Sequence, residues 1–201
     1  MGRSFFILWF VAILFADPLQ AQERSLQPGI DILHYDFSLS LPDTGRTIEG
    51  LALITVRRSP PAGNLILDLV GLRVDGVSVN GRPAGFERKT GSLDIPLAQS
   101  LSSLPDTLLV SVRYDGEVSD GLIIHADEKG RWYAFGDNWP TRARYWLPTV
   151  DQPAEKATVS WNIDAPRGRM VIANGELVGE KLLPAKSGSG ALNRTLTMWR
   201  T

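Results

Sequence analysis

The chain has 201 residues, with 21 Lys and Arg against 22 Asp and Glu, no cysteine and two histidines. A net charge of -1 leaves no basic face for a phosphate backbone and so excludes general nucleic-acid binding, while 43% hydrophobic residues exclude a disordered chain. Without cysteine there are no disulfides, thiolate metal sites or cysteine nucleophiles, and His34 and His125 are the whole histidine inventory for metal or base chemistry.

Arg3 precedes residues 5–16 (FFILWFVAILFA), an unbroken apolar run of twelve. A membrane-spanning helix needs about 20 such residues. The run therefore reads as the core of a signal peptide covering residues 1–21, with Ala21 as the small residue at the cleavage position. Residues 22–201 are then expected to form one exported domain with no membrane span. The lack of cysteine fits a bacterial periplasm or surface better than a disulfide-stapled eukaryotic module.

The exported part reads as strands. Leu33, Tyr35, Phe37, Leu39 and Leu41 alternate with polar residues, the period-two pattern of a strand with one buried face. Runs at 48–57, 64–70 and 72–79 follow, divided by Pro60-Pro61, Gly71 and Asn80-Gly81, and Asn-Gly favours a tight hairpin. Leu108 to Tyr114 and Ala157 to Ala165 alternate again; Asn174-Gly175 marks a second hairpin candidate, and a last run occupies 192–200. No window shows helical spacing free of Gly and Pro. The expected fold is all-β, a mixed antiparallel β-sandwich, with unequal strand spacing that argues against a propeller.

Residues 130–153 differ from the rest. They gather Trp132, Tyr133, Phe135, Trp139, Tyr145 and Trp146 among Arg131, Arg142, Arg144, Asp137 and Asp151. Pro140 and Pro148 forbid a continuous helix, so the segment reads as a structured loop. Two roles are open: a cap on the core in which Arg144 pairs with Asp151, or a substrate-facing surface.

Within this segment, Arg144, Leu147-Pro148, Asp151-Gln152-Pro153-Ala154 and Lys156-Ala157, followed by an alternating strand and Ala173-Asn174-Gly175, resemble the amino-terminal domain of the aminopeptidase N family of zinc metallopeptidases. His34-Tyr35-Asp36 and Gly50 extend the resemblance backwards. It implies a β-sandwich packed on a mostly helical catalytic domain, which holds zinc through His-Glu-x-x-His and a later Glu. Those motifs do not occur in this sequence. The implied zinc therefore belongs to the full-length family, with no ligand from this chain, and the chain alone is expected to be inactive.

The resemblance also implies a site loop. The family's Gln-x-Gln or Gln-x-Glu positions fall on Asp137 and Trp139, a departure that keeps only the first polar. Asp137, Asn138 and Trp139 are then expected to line the subsite for the amino end of a peptide substrate, whereas Arg144, Pro148, Asp151, Pro153, Lys156, Asn174 and Gly175 are structural. The catalytic domain of the same polypeptide is the implied partner. A last sandwich strand is expected to follow Thr201. The competing class is an exported binding module for glycans or proteins that uses Trp132, Trp139 or Trp146 as stacking platforms.

Other chemistry is sparse. Ser189 lacks the glycine of a nucleophile elbow, and His34 and His125 read as surface or edge residues. Asp115, Glu117, Asp120, Asp127 and Glu128 read as solvated turns that match no calcium-loop spacing.

Overall fold

The computed structural model describes residues 27–97, 106–183 and 193–201. The expected signal peptide and the glycine-serine stretch at 187–190 lie outside the described residues. No helix among the described residues is long and apolar enough to cross a membrane.

The described residues form an all-β fold. Its strands are β1 (Ile30–Ser40), β2 (Thr47–Arg58), β3 (Leu65–Asp68), β4 (Arg73–Val79), β5 (Arg82–Ala84), β6 (Glu87–Lys89), β7 (Ser92–Ile95), β8 (Thr107–Glu117), β9 (Leu122–Ala126), β10 (Trp132–Gly136), β11 (Thr158–Pro166), β12 (Glu176–Leu183) and β13 (Arg194–Arg200). An eight-stranded sheet runs β12-β13-β11-β1-β2-β8-β4-β5, a three-stranded sheet runs β3-β7-β6, and β9 and β10 form a separate hairpin. The β1–β11 pair is parallel and the other pairs are antiparallel, so the large sheet is mixed as expected.

The core follows from alternation. Ile48, Ala52, Ile54 and Val56 of β2 and Leu108, Val110, Val112 and Tyr114 of β8 point inward, while Leu65, Leu67, Leu93 and Ile95 meet them from the three-stranded sheet. Gly50 sits on the same inward face because a Cβ there would lie 2.2 Å from the Tyr114 ring. Burial pushes the Tyr114 hydroxyl far up in pKa. Asn80 (φ 49°) and Gly81 (φ 76°) make the expected two-residue turn between β4 and β5.

Three expectations need correction. In β1 the inward set is Ile30 and Ile32, then Tyr35, Phe37 and Leu39, because the register shifts between Ile32 and His34 and leaves Leu33 half-buried. The Ile32 amide donates to Glu155 Oε1 at 3.0 Å, so a side chain 123 residues away covers the irregular edge. Asn174-Gly175 is no hairpin: β11 and β12 are both partners of β13 and not of each other. Gly175 (φ 97°) instead lets the chain pass Arg200, whose carbonyl oxygen would lie 2.1 Å from a Cβ. Residues 132–136, read as loop, are strand β10, paired with β9.

Candidate functional site

The segment after β10 crosses from the hairpin to the sandwich and contains two arginine clusters. Arg144, in a short 3-10 turn (Ala143–Tyr145), donates through Nε to Asp151 Oδ2 at 2.9 Å and through Nη2 to the Asp151 carbonyl at 3.2 Å. Its Nη1 lies 3.7 Å from Asp68 Oδ1. Asp68 is 3% exposed and Asp151 9% at their side chains. Backbone bonds complete the joint: Asp68 and Thr149 exchange both amide bonds, at 2.7 and 3.2 Å, and the Val70 amide donates to the Arg144 carbonyl at 2.8 Å. The Val150 amide donates to the Tyr35 hydroxyl at 3.0 Å, and burial raises that hydroxyl's pKa. Buried charges need this degree of pairing to be tolerated. Arg144 and Asp151 thus join the segment to β3.

The remaining motif positions are spread along the fold. Pro148 is buried, whereas Pro153 and Lys156 are exposed. Asp36 Oδ1 accepts from Asn162 Nδ2 at 2.6 Å and His34 Nδ1 lies 2.6 Å from Thr158 Oγ1, so both join β1 to its parallel neighbour β11. Asn174 is exposed at the entry to β12, next to the close approach at Gly175.

Arg142 forms the second cluster. Its Nε donates to both Asp120 oxygens, at 2.9 and 3.0 Å, Nη2 binds Asp120 Oδ1 as well, and Nη1 binds Asp137 Oδ2. Asp120 Oδ1 also accepts from the Gly121 amide at 2.9 Å. The Arg142 guanidinium, helped by this amide, holds the Asp120 carboxyl below its ordinary pKa, and Asp120 in turn raises that of Arg142. Gly121 (φ 74°) makes the approach possible, since a Cβ there would lie 2.0 Å from the Arg142 carbonyl oxygen. The Asp137 amide reaches the Gly121 carbonyl at 2.6 Å and the Arg142 amide the Asn138 carbonyl at 3.0 Å.

These bonds present residues 137–140 as a fixed loop whose three candidate residues have different surroundings. Asn138 is exposed, but its Oδ1 accepts from the buried Trp146 indole at 2.9 Å. Asp137 has a side chain 45% exposed. Trp139 is 78% exposed. Asp120 and Arg142 are the members sequence reasoning missed as a pair; their only signal was opposite charge across a glycine turn.

Beside the loop lies a groove of about 500 Å³ lined by Trp132, Phe135, Trp146, Trp161 and Ile172 among others. Trp146 stacks on Trp161 with ring centroids 5.8 Å apart and planes 11° apart, so it belongs to the floor. Phe135, Met170 and Ile172 line the groove and stand exposed.

Zinc does not fit the residues present. His34 lies in β1 against Thr158, His125 packs edge-on against Tyr133 at 5.8 Å in the hairpin, and among the described residues no three His, Asp or Glu side chains gather as a donor set. Asp115, Asp120 and Asp127, read as solvated turns, each pair with an arginine: Arg73, Arg142 and Arg131.

The described residues thus form a β-sandwich with a hairpin whose following loop, residues 137–140, lies beside a groove. The chain belongs to the Peptidase M1 N-terminal domain family, whose pattern matches residues 32–190. A probable M1 family aminopeptidase 2 from Encephalitozoon cuniculi is 27% identical over 168 residues, covering 79% of this chain and 19% of that protein. A leucyl aminopeptidase from Saccharolobus solfataricus is 27% identical over 120 residues, 58% of this chain and 14% of its own. Among solved structures, an M1 zinc metallopeptidase from Deinococcus radiodurans superposes with a TM-score of 0.66 at 25% identity, over 87% of this chain and 40% of that one. Yeast LTA4 hydrolase, in complex with bestatin, shares the fold with a TM-score of 0.65 at 21% identity, over 84% of this chain and 26% of its own. The chain thus spans less than half the length of these proteins.

Proposed function

We propose that this chain is the substrate-side domain of an exported, zinc-dependent aminopeptidase that removes amino-terminal residues from peptides. The zinc and its general base reside on a catalytic domain that packs against the groove rim, and this chain alone hydrolyses nothing. Asp137 and Trp139 line the subsite for the peptide's amino end, with Asn138 holding the loop to Trp146. The supporting observation is the pinned 137–140 loop, which offers a part-exposed carboxylate next to an exposed indole, the two groups that attract an ammonium by charge and by cation–π contact. The apolar leader at 5–16 supports export to a periplasm or the cell exterior.

The test is steady-state kinetics of the complete polypeptide. Asp137→Ala and Trp139→Ala are each expected to lower kcat/KM for a free-amine dipeptide by about tenfold, the value of one lost charge-assisted contact. Unchanged kinetics in both variants would remove the subsite.

A second reading has one observation in its favour: Tyr133 and Phe135 stack at 6.3 Å and are both exposed, as in a glycan platform. Trp146, one of the platforms expected for that reading, is buried. Retention of the chain on immobilised polysaccharide, lost in Tyr133→Ala, would favour it.

A further inference from the structure

The charge count around Arg142 is uneven. One guanidinium faces two carboxylates, Asp120 and Asp137, and so leaves one negative charge uncompensated. Asp120 takes Nε and Nη2 and a backbone amide, with both of its oxygens engaged. Asp137 receives Nη1 alone, on Oδ2, and its Oδ1 has no hydrogen-bond partner among the described residues. The excess charge therefore sits at the outer end of the cluster, on the carboxylate beside Trp139.

The fork geometry explains why an arginine is used. A guanidinium is planar and donates in several fixed directions, so fixing one edge on Asp120 fixes where the other edge points. Asp120 is itself anchored at the turn where Gly121 touches the Arg142 carbonyl, so the cluster is located by backbone at both ends. Asp137 cannot swing away without losing Nη1, and its side chain, bonded through Oδ2, stays 45% exposed.

We infer that Arg142 and Asp120 are positioning residues for Asp137: they aim its free oxygen outward and keep the surplus negative charge there, setting how well the site distinguishes an ammonium from a neutral group. The inference rests on the amino-end subsite proposed above. It goes beyond it by assigning ammonium selectivity to two residues that do not touch the substrate.

Each substitution acts through a different part of the cluster. Arg142→Lys retains the charge, but one ammonium cannot grip Asp120 in a fork and also reach Asp137. Asp120→Asn leaves Arg142 in place and hands its whole charge to Asp137, which cancels the surplus. Both changes should blunt selectivity for a cation.

The experiment compares inhibition of the complete polypeptide, zinc-bearing domain included, by L-leucinamide and by its des-amino analogue 4-methylpentanamide. The ratio of the two inhibition constants reads the ammonium directly. Arg142→Lys and Asp120→Asn are each expected to lower that ratio by about tenfold, the order of one charge-assisted bond. The Trp146 indole N–H resonance of the chain, which reports the Asn138 bond, should stay in place and show that the loop still folds. An unchanged ratio in both variants, with Asp137→Ala lowering it, overturns the positioning role and leaves the subsite standing. An unchanged ratio in Asp137→Ala as well overturns the subsite itself. A displaced Trp146 resonance together with a lowered ratio would assign the effect to loop folding and also overturn the inference.

Discussion

Arg142 and Arg144 stand two residues apart, each between two aspartates, and do different work. Arg144 reaches Asp151 and Asp68, whose side chains are almost wholly shielded, and joins the segment to β3 of the three-stranded sheet. Arg142 reaches Asp120 and Asp137, which are a third to a half exposed, and joins the segment to the turn before β9. On this difference, burial, and not the ion pair as such, is expected to decide which cluster carries stability. In a dry setting an unmatched carboxylate is costly, whereas in a wet one water replaces the lost partner. The part around 144–151 lies against β3 with its charges shielded, whereas Asp137 and Trp139 are open to solvent.

The largest expected break in this contrast is Arg144→Met. It takes away the guanidinium that holds the shielded Asp151 carboxylate, at a cost of about 3–5 kcal/mol in urea unfolding of the chain. Arg142→Met should move the same transition far less, because its partners can be hydrated. Comparable losses in the two variants would erase the distinction.

Gly121→Ala comes next. It places a side chain at φ 74° and puts a Cβ against the Arg142 carbonyl, so the turn and the loop must part. Backbone strain of this kind costs about 1–3 kcal/mol, and the Trp146 indole resonance should shift with it. Asn138→Ala is smaller: it removes the acceptor for a buried indole N–H and should cost about 1 kcal/mol. No loss of stability would mean that the indole bond does not hold the loop.

The sandwich was legible in the sequence where alternation is local and unbroken. β2 and β8 keep period two over their whole length because their outward residues face solvent and their inward ones the core. β1 misled at Leu33, since the phase change there is supported by Glu155 from a distant segment and leaves no mark in the strand itself. β10 was hidden because Trp132, Tyr133, Ala134 and Phe135 are apolar on both faces, one toward the groove floor and one exposed, so period two cannot show. β12 was hidden for the opposite reason, being exposed along most of its length with no buried stripe. The candidate loop was reached through the family motif alone. The pairing of Arg142 with Asp120, 22 residues earlier, depends on a turn whose shape no spacing rule announces.

The smallest expected effect separates the clusters by acid. Asp120 has its carboxyl pKa below the ordinary 3.8, chiefly through the Arg142 hydrogen bond, while that of Arg142 is raised, so the guanidinium keeps its charge throughout. A carboxyl whose folded pKa is depressed contributes stability above its unfolded value and loses it as the pH falls through the folded one. The contribution of Asp120 is therefore constant above about pH 5 and fades below 3.8. Thermal midpoints of the chain and of Asp120→Asn, measured from about pH 6 to about pH 2.5, should differ by a small fixed amount and then converge. Because Asp120 is solvated, the gap should also shrink in high salt, as screening weakens an exposed pair. A gap that persists undiminished at the acid end would mean that Asp120 acts through shape and not charge, which would also deprive Arg142 of the uneven charge count on which its positioning role depends.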